Sequence, residues 1–200
     1  LLDEPLSHLD AKLRAQMRVE LKQLGEMSST TSLYVTHDYQ EALALGDRIA
    51  VLRAGNLVQT GTPLELWHSP ADTFVARSLG QPEINLLDAD ISDGLLRAAD
   101  GAVTLPVPPG IDLPAGGRAR IGLRPRDLRL GPAGPGRDVA PAHPVLRFSG
   151  TVQLSERLGR LVELTVDVHG HQVVVVCEHG VGEGERVQLR IPLDQVHVFA

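Results

Sequence analysis

Two adjacent acids and one histidine are the residues whose types and spacing could do chemistry. "LLDEP" runs two leucines into Asp3 and Glu4, which places two carboxylates at the C-terminal end of a buried strand, the edge where open α/β sheets put ligands. Phosphoryl transfer from a nucleotide uses such a pair. One acid holds Mg²⁺, usually through water, and the other polarises the attacking water. A strand end followed by a capped turn accounts for the same five residues, and the motif alone does not separate the two readings. After one intervening helix, "SLYVTHD" sets His37 at the end of a second short strand. An imidazole on the same sheet edge as Asp3 and Glu4 can hydrogen-bond a terminal phosphate oxygen and respond to its loss.

Four helices and a mainly parallel sheet are the elements that must position these groups. Residues 1 to about 80 alternate short apolar runs with amphipathic stretches, the pattern of an α/β layer. Four times a short polar residue precedes an acid by three positions: Ser7 and Asp10, Asp38 and Glu41, Thr62 and Glu65, Ser69 and Asp72. Each reads as a capping box, and together they predict helices over 8–27, 39–45, 63–68 and 71–79. In the first, Leu9, Leu13, Met17, Leu21 and Leu24 recur at intervals of three or four, a face expected to meet a core. Gly46 and Gly80 read as helix stops. "SLYVT" is too short for a helix and β-branched, and "RIAVLRAGNLVQTG" reads as a hairpin turning at Ala54-Gly55-Asn56.

Beyond about residue 84 the texture changes to short alternating strands separated by Gly and Pro, a small all-β unit. Gly131 to Pro144 reads as a loop. Arg118, Arg120, Arg124, Arg126 and Arg129 form a basic cluster of the kind that, interleaved with aromatics, binds single strands. Only Phe148 and Phe199 supply aromatics there, so a solvated strand face or a salt-bridged dimer surface is the favoured reading. His169 and His171, alternating onto one strand face with His179 nearby, are read as exposed β histidines in preference to a metal trio, since no Cys or acid completes the set.

Composition bounds the partners. Among 200 residues, 19 Lys and Arg face 25 Asp and Glu, a net charge of -6 that argues against nucleic acid as the main partner. No run approaches the roughly 18 apolar residues of a membrane helix. The single Cys177 has no internal disulfide partner and suits a reducing compartment.

"LLDEPLSHLDAKLR", taken with "YVTHDYQEALALGDRIAVLRAGNLVQTGTPLELWHSPADTFVARSLG", resembles the second half of an ATP-binding cassette (ABC) ATPase, a P-loop NTPase, starting inside its Walker B strand. The resemblance runs continuously over residues 1 to about 80. It implies ATP and Mg²⁺ as cofactors, with Asp3 as the metal-site acid that also meets the nucleotide, Glu4 as catalytic base and His37 as the switch histidine. It makes Ser7-His8-Leu9-Asp10 the D-loop that crosses to a partner subunit, with Ser7 and Asp10 on the nucleotide side. His8 departs from the Asn or Ala more usual there, which points to a difference in subunit coupling. The resemblance also implies a C-terminal piece of a longer protein, whose Gly-rich phosphate loop (Walker A), glutamine loop and signature motif lie upstream. Without the backbone cradle and Lys for the phosphates, these residues alone should hydrolyse ATP negligibly.

"IGLRPRDLRL" and "EGERVQLRIPLDQVHVFA" resemble the C-terminal regulatory barrel of importer-type ABC ATPases, the TOBE domain with its OB-like arrangement. The expected division is a partial cassette over 1–83 and a TOBE barrel over 84–200. The implied function is the energy-coupling ATPase subunit of a bacterial importer for sugars, polyols or glycerol phosphate. Such a subunit pairs with a second ATPase subunit, docks on transmembrane permease subunits, serves a periplasmic solute-binding protein indirectly, and lies peripherally on the cytoplasmic face of the inner membrane. Polyamine, iron and oxyanion importers share the arrangement. Two alternatives stay open: a regulatory β module that senses a small anion, a sugar or a signalling protein, and an ABC ATPase unconnected with transport.

Overall fold

In the computed structural model, which describes residues 1–28, 30–108, 113, 116–131 and 144–200, the chain folds as two units, Leu1–Gly80 and Gln81–Ala200. The first begins with β1 (Leu2–Asp3), followed by α1 (Ala11–Met27), β2 (Tyr34–Val35) and α2 (Tyr39–Leu45). β1 and β2 pair in parallel, with Leu2 opposite Tyr34 and Asp3 opposite Val35. The ladder is extended by Leu2 N–H donating to Leu33 O and Glu4 N–H to Val35 O, each at 2.8 Å. The sequence led us to expect a buried strand here. Instead, Leu1 is 87% and Leu2 36% exposed, because among the described residues only β2 joins β1 in a two-stranded sheet.

α1 starts three residues later than the sequence pattern suggests. Asp10, not Ser7, is its N-cap, accepting from the N–H groups of Lys12 and Leu13, while the Ser7 hydroxyl donates to Glu4 O in the preceding turn. The apolar ridge on α1 is also not the core face expected. Leu13 is 40% and Leu24 61% exposed, since the principal neighbour of α1 is the seven-residue α2, too short to cover it. α2 itself runs over the expected residues, capped by Asp38 and stopped at Gly46.

β3 (Ile49–Arg53) and β4 (Asn56–Gly61) form the expected hairpin. Its turn is closed by Ala54 and Gly55, both in the left-handed region at φ 49 and 79, the pairing a tight I′ turn demands. α3 (Pro63–His68) carries a complete capping box, Thr62 with Glu65. α4 (Thr73–Ser78) is capped by Asp72 through Val75 N–H, so Ser69 is not its cap and the helix is shorter than predicted. Leu66 and Val75, both fully buried, pack with Ile49 and Leu79 as the small core of this unit.

The second unit is entirely antiparallel. β5 (Asn85–Ser92), β6 (Leu95–Ala98), β7 (Val103–Pro106), β8 (Arg118–Leu123), β9 (Arg129–Leu130), β10 (Val145–Leu158), β11 (Leu161–Val168), β12 (His171–Cys177), β13 (Arg186–Pro192) and β14 (His197–Phe199) follow in order. They form two five-stranded sheets, ordered β12-β11-β10-β13-β9 and β14-β8-β5-β6-β7. Alternation fixes the inner faces: Leu87, Ala89 and Ile91 of β5 and Val162, Leu164, Val166 and Val168 of β11 enter one apolar core shared by both sheets. Asn85 stitches the two sheets, its amide donating to Leu123 O at 3.0 Å and Val174 O at 2.8 Å while its oxygen accepts from Val174 N–H at 2.7 Å. β10 and β11 slip register between Val152 and Leu154, leaving Gln153 as an extra residue, a β-bulge. The loop expected over Gly131 to Pro144 lies, from 132 to 143, outside the described residues.

Candidate functional site

Glu4 and His37 meet because the strands that precede them are neighbours in register. Asp3 ends β1 opposite Val35, the last residue of β2, so the chain leaves both strands on the same edge. There Glu4 Oε1 lies 2.9 Å from His37 Nδ1. The carboxylate raises the imidazole pKa, first through this hydrogen bond and then through its charge, against a small opposing effect of burial. Glu4 itself sits at φ 41, in the left-handed region, a conformation that for a non-glycine residue costs of order 1 kcal/mol or more and tends to cluster at functional sites.

Ser7 joins the pair from the turn. Its N–H and its hydroxyl both reach Glu4 O, at 3.2 and 2.9 Å. An open cleft is lined by Glu4, Ser7, Arg14, Thr36, His37, Asp38 and Glu41. Of the five residues singled out from sequence, Glu4, Ser7 and His37 therefore share one cleft. Asp3, exposed at the end of β1, and Asp10 are not among its lining residues. Asp10 Oδ1 is occupied by the cap of α1, at 3.0 Å from Lys12 N and 2.9 Å from Leu13 N.

Sequence reasoning missed four lining groups. Arg14 on α1 donates to Leu9 O at 2.9 Å and pairs with Asp38 at 3.8 Å, so it ties the turn after Glu4 to the start of α2. Asp38 accepts from Gln40 N–H at 2.8 Å and Glu41 N–H at 3.4 Å. Glu41 was expected to return a bond to its own helix cap. Its carboxylate, on a residue only 3% exposed, instead accepts from the Tyr34 hydroxyl at 2.9 Å and the Thr36 hydroxyl at 2.8 Å. Burial, then the Glu41 hydrogen bond, pushes the Tyr34 phenol well up, so it remains a donor. The sequence signal for this network is two hydroxyl residues in alternate positions, Tyr34 on β2 and Thr36 just past its end, with an acid one helical turn beyond.

Two other candidate clusters separate in space. Arg118 and Arg120 are exposed on β8 opposite Asp90 and Asp88 of β5, with Arg120 Nε donating to Asp88 at 2.9 Å, so their charge is answered across the sheet. Arg124 is instead buried, and burial lowers its pKa to about 10; the five arginines are not one patch. His169 lies in the β11–β12 turn at φ 51, not alternating with His171 along a strand face as the pattern suggested. Among the described residues no group of three or more His, Cys, Asp or Glu could hold a metal ion, and no helix is long and apolar enough to cross a membrane.

Comparison with known proteins follows the division seen in the fold. Residues 121–199 match the TOBE domain family. The sn-glycerol-3-phosphate import ATP-binding protein UgpC 3 of Rhizobium johnstonii is 44% identical over 88% of this chain and 45% of its own length. Its namesake in Rhizobium etli is 39% identical over 100% of this chain and 53% of its own. The alpha-glucoside transport ATP-binding protein AglK of Rhizobium meliloti is 40% identical over 100% of this chain and 55% of its own. The chain thus spans about half the length of the curated relatives it matches. Among solved structures, the cytoplasmic molybdate-binding protein ModG aligns with 58% of this chain and 95% of its own at TM-score 0.47 and 14% identity, a likeness from which nothing follows.

Proposed function

This chain is a homologue of the import ATP-binding proteins of ABC transporters and carries a TOBE domain over residues 121–199, and from that premise we propose that it belongs to the energy-coupling ATPase subunit of a bacterial importer. Residues 1–83 contribute the Walker B, D-loop and switch-histidine part of a P-loop cassette, and residues 84–200 form its regulatory β domain. The observation that carries this reading is the 2.9 Å contact between Glu4 Oε1 and His37 Nδ1 at the ends of two adjacent parallel strands.

Each residue then has a role. Glu4 orients the attacking water and takes up its proton, the work of a carboxylate base. With Nδ1 turned toward Glu4, His37 keeps Nε2 for a terminal phosphate oxygen. Mg²⁺ is ordinarily held by one or two carboxylates together with substrate phosphates and water, and Asp3 supplies one hard oxygen donor of that type; the ion, when bound, offsets charge on the transferred phosphoryl group. Ser7 braces the backbone of Glu4, and Asp10, by capping α1, fixes the far end of the turn that crosses to a second ATPase subunit. The phosphate-cradling loop comes from sequence beyond these residues, as the greater length of the relatives allows. The exposure of Leu1, Leu2, Leu13 and Leu24 supports further layers over β1 and α1, because parallel strands are almost always covered on both faces.

The subunit acts at the cytoplasmic face of the inner membrane, docked on permease subunits that receive solute from a periplasmic binding protein. The transported solute is a sugar, polyol or glycerol phosphate, a reading supported by the names of the glycerol-phosphate and alpha-glucoside relatives. The test is the Glu4→Gln variant in the complete polypeptide. Steady-state ATP turnover is expected to fall by about 100- to 10,000-fold while nucleotide-held dimers persist in size-exclusion chromatography. Near-normal turnover removes Glu4 from the role of base.

A further inference from the structure

We propose that Glu41 is a positioning residue for His37: its buried carboxylate, held to the hydroxyls of Tyr34 and Thr36, fixes the backbone on both sides of the imidazole. The inference rests on the reading of His37 as the group that meets the terminal phosphate, and adds to it the device that aims the ring.

The geometry is a bracket. Thr36 precedes His37 and Asp38 follows it. The Thr36 hydroxyl donates to Glu41 Oε2 at 2.8 Å and accepts from Asp38 N–H at 3.0 Å, so one side chain spans the peptide units flanking His37. Glu41 Oε2 also takes the Tyr34 hydroxyl at 2.9 Å, which anchors the bracket to β2. Asp38 closes the other side, its carboxylate capping the helix that carries Glu41. The result is a closed loop of hydrogen bonds around an exposed ring.

That loop is needed because the ring has little else to hold it. The His37 side chain is 75% exposed and its Glu4 partner 46% exposed, and an ion pair at such a surface contributes little by itself toward a fixed rotamer. The buried acceptor is different in kind. A carboxylate at 3% exposure that loses its hydroxyl donors is left desolvated and unsatisfied, which is costly, so Tyr34 and Thr36 are held firmly. A rigid backbone at Thr36 and Asp38 then leaves His37 only its two side-chain torsions, and a charge on Glu4 to select among them. Prearranged geometry of this sort acts on the rate and not on ground-state binding. Thr36 and Glu41 line the same cleft, and the role assigned to them runs through His37, by the hydrogen bonds that hold the backbone on either side of it.

The test uses this chain as it is, with ¹⁵N-labelled histidine and long-range proton–nitrogen spectra. Glu4→Gln gives the reference positions of a His37 ring that has lost its carboxylate. Thr36→Val and Glu41→Leu are expected to move the His37 resonances to those positions. Thr36→Ser keeps the hydroxyl and Glu41→Gln keeps an oxygen able to accept both donors, so both are expected to keep the wild-type spectrum. If Glu41→Leu does not fold by circular dichroism, the Thr36→Val and Thr36→Ser pair decides alone. A wild-type His37 signature in Thr36→Val, or its equal loss in Thr36→Ser, overturns the proposal. In the complete polypeptide the Thr36→Val variant is expected to lose about tenfold in kcat at unchanged KM, with Thr36→Ser restoring it. The imidazole readout needs no nucleotide. A complete polypeptide without ATPase activity whose His37 spectra behave as expected overturns the functional reading and leaves the positioning role standing.

Discussion

At the scale of single residues, the exposed Glu4–His37 pair gives the site a dependence on pH whose sign is fixed. Glu4 raises the His37 pKa in the folded chain, so the stabilisation from the charged pair is fully present below the ordinary histidine value. It fades as pH rises through the raised one. A proton titration of the ring resonances is expected to place the His37 inflection above the ordinary histidine value, and the Glu4→Gln substitution to lower it, with Asp38 and Glu41 still acting upward; an unchanged inflection in that variant breaks the assignment. Asp3, Glu4 and His37 were legible in the sequence because each sits where an apolar run ends, and adjacency in sequence set them at strand ends. Thr36 and Glu41 were not. Glu41 lies three residues after Asp38, the spacing of a capping box, and nothing in that spacing says that its carboxylate turns away to the hydroxyls of Tyr34 and Thr36.

Among elements, helix starts show where local reading succeeds and where it stalls. Thr62 and Glu65 form the full reciprocal cap of α3, and hydrogen bonds from the Thr62 backbone and hydroxyl hold the Glu65 carboxyl below its usual range. Thr62→Ala is expected to cost about 1 kcal/mol, read as an earlier midpoint in urea followed by Trp67 fluorescence, since Trp67 lies on α3 itself. Ser7 with Asp10, and Ser69 with Asp72, offer two competent caps three residues apart, and in both the second one is used. For the first pair the reason is local: the Ser7 hydroxyl is already spent on Glu4 O in the turn. Spacing cannot express that competition. The ridge of α1 failed for another cause. Periodicity reports that a face is apolar, and it is silent on whether anything lies against it.

For the molecule as a whole, one polar side chain adds its hydrogen bonds to the apolar core that joins the two β sheets. Asn85 replaces backbone pairing with an amide that serves Leu123 and both polar groups of Val174. Asn85→Ala leaves those groups unanswered at a position 8% exposed and is expected to cost on the order of 3 kcal/mol. Amide hydrogen exchange at Val173 to Val175 is the measurement, and full protection in the variant refutes the assignment. The change from an α/β texture to an all-β one was legible because period-2 alternation is strong in β5 and β11, where every second residue is buried. The bulge in β10 was not legible, because Gln153 obeys the same alternation as its neighbours. It has a consequence for the surface. Before it, Leu146, Phe148 and Val152 point inward; past it the parity flips, so that Leu154 and Leu158 are 42% and 61% exposed. One supernumerary residue has turned over the side chains that follow it, and deleting Gln153 would bring Leu154 back to the face of β10 that carries Leu146, Phe148 and Val152.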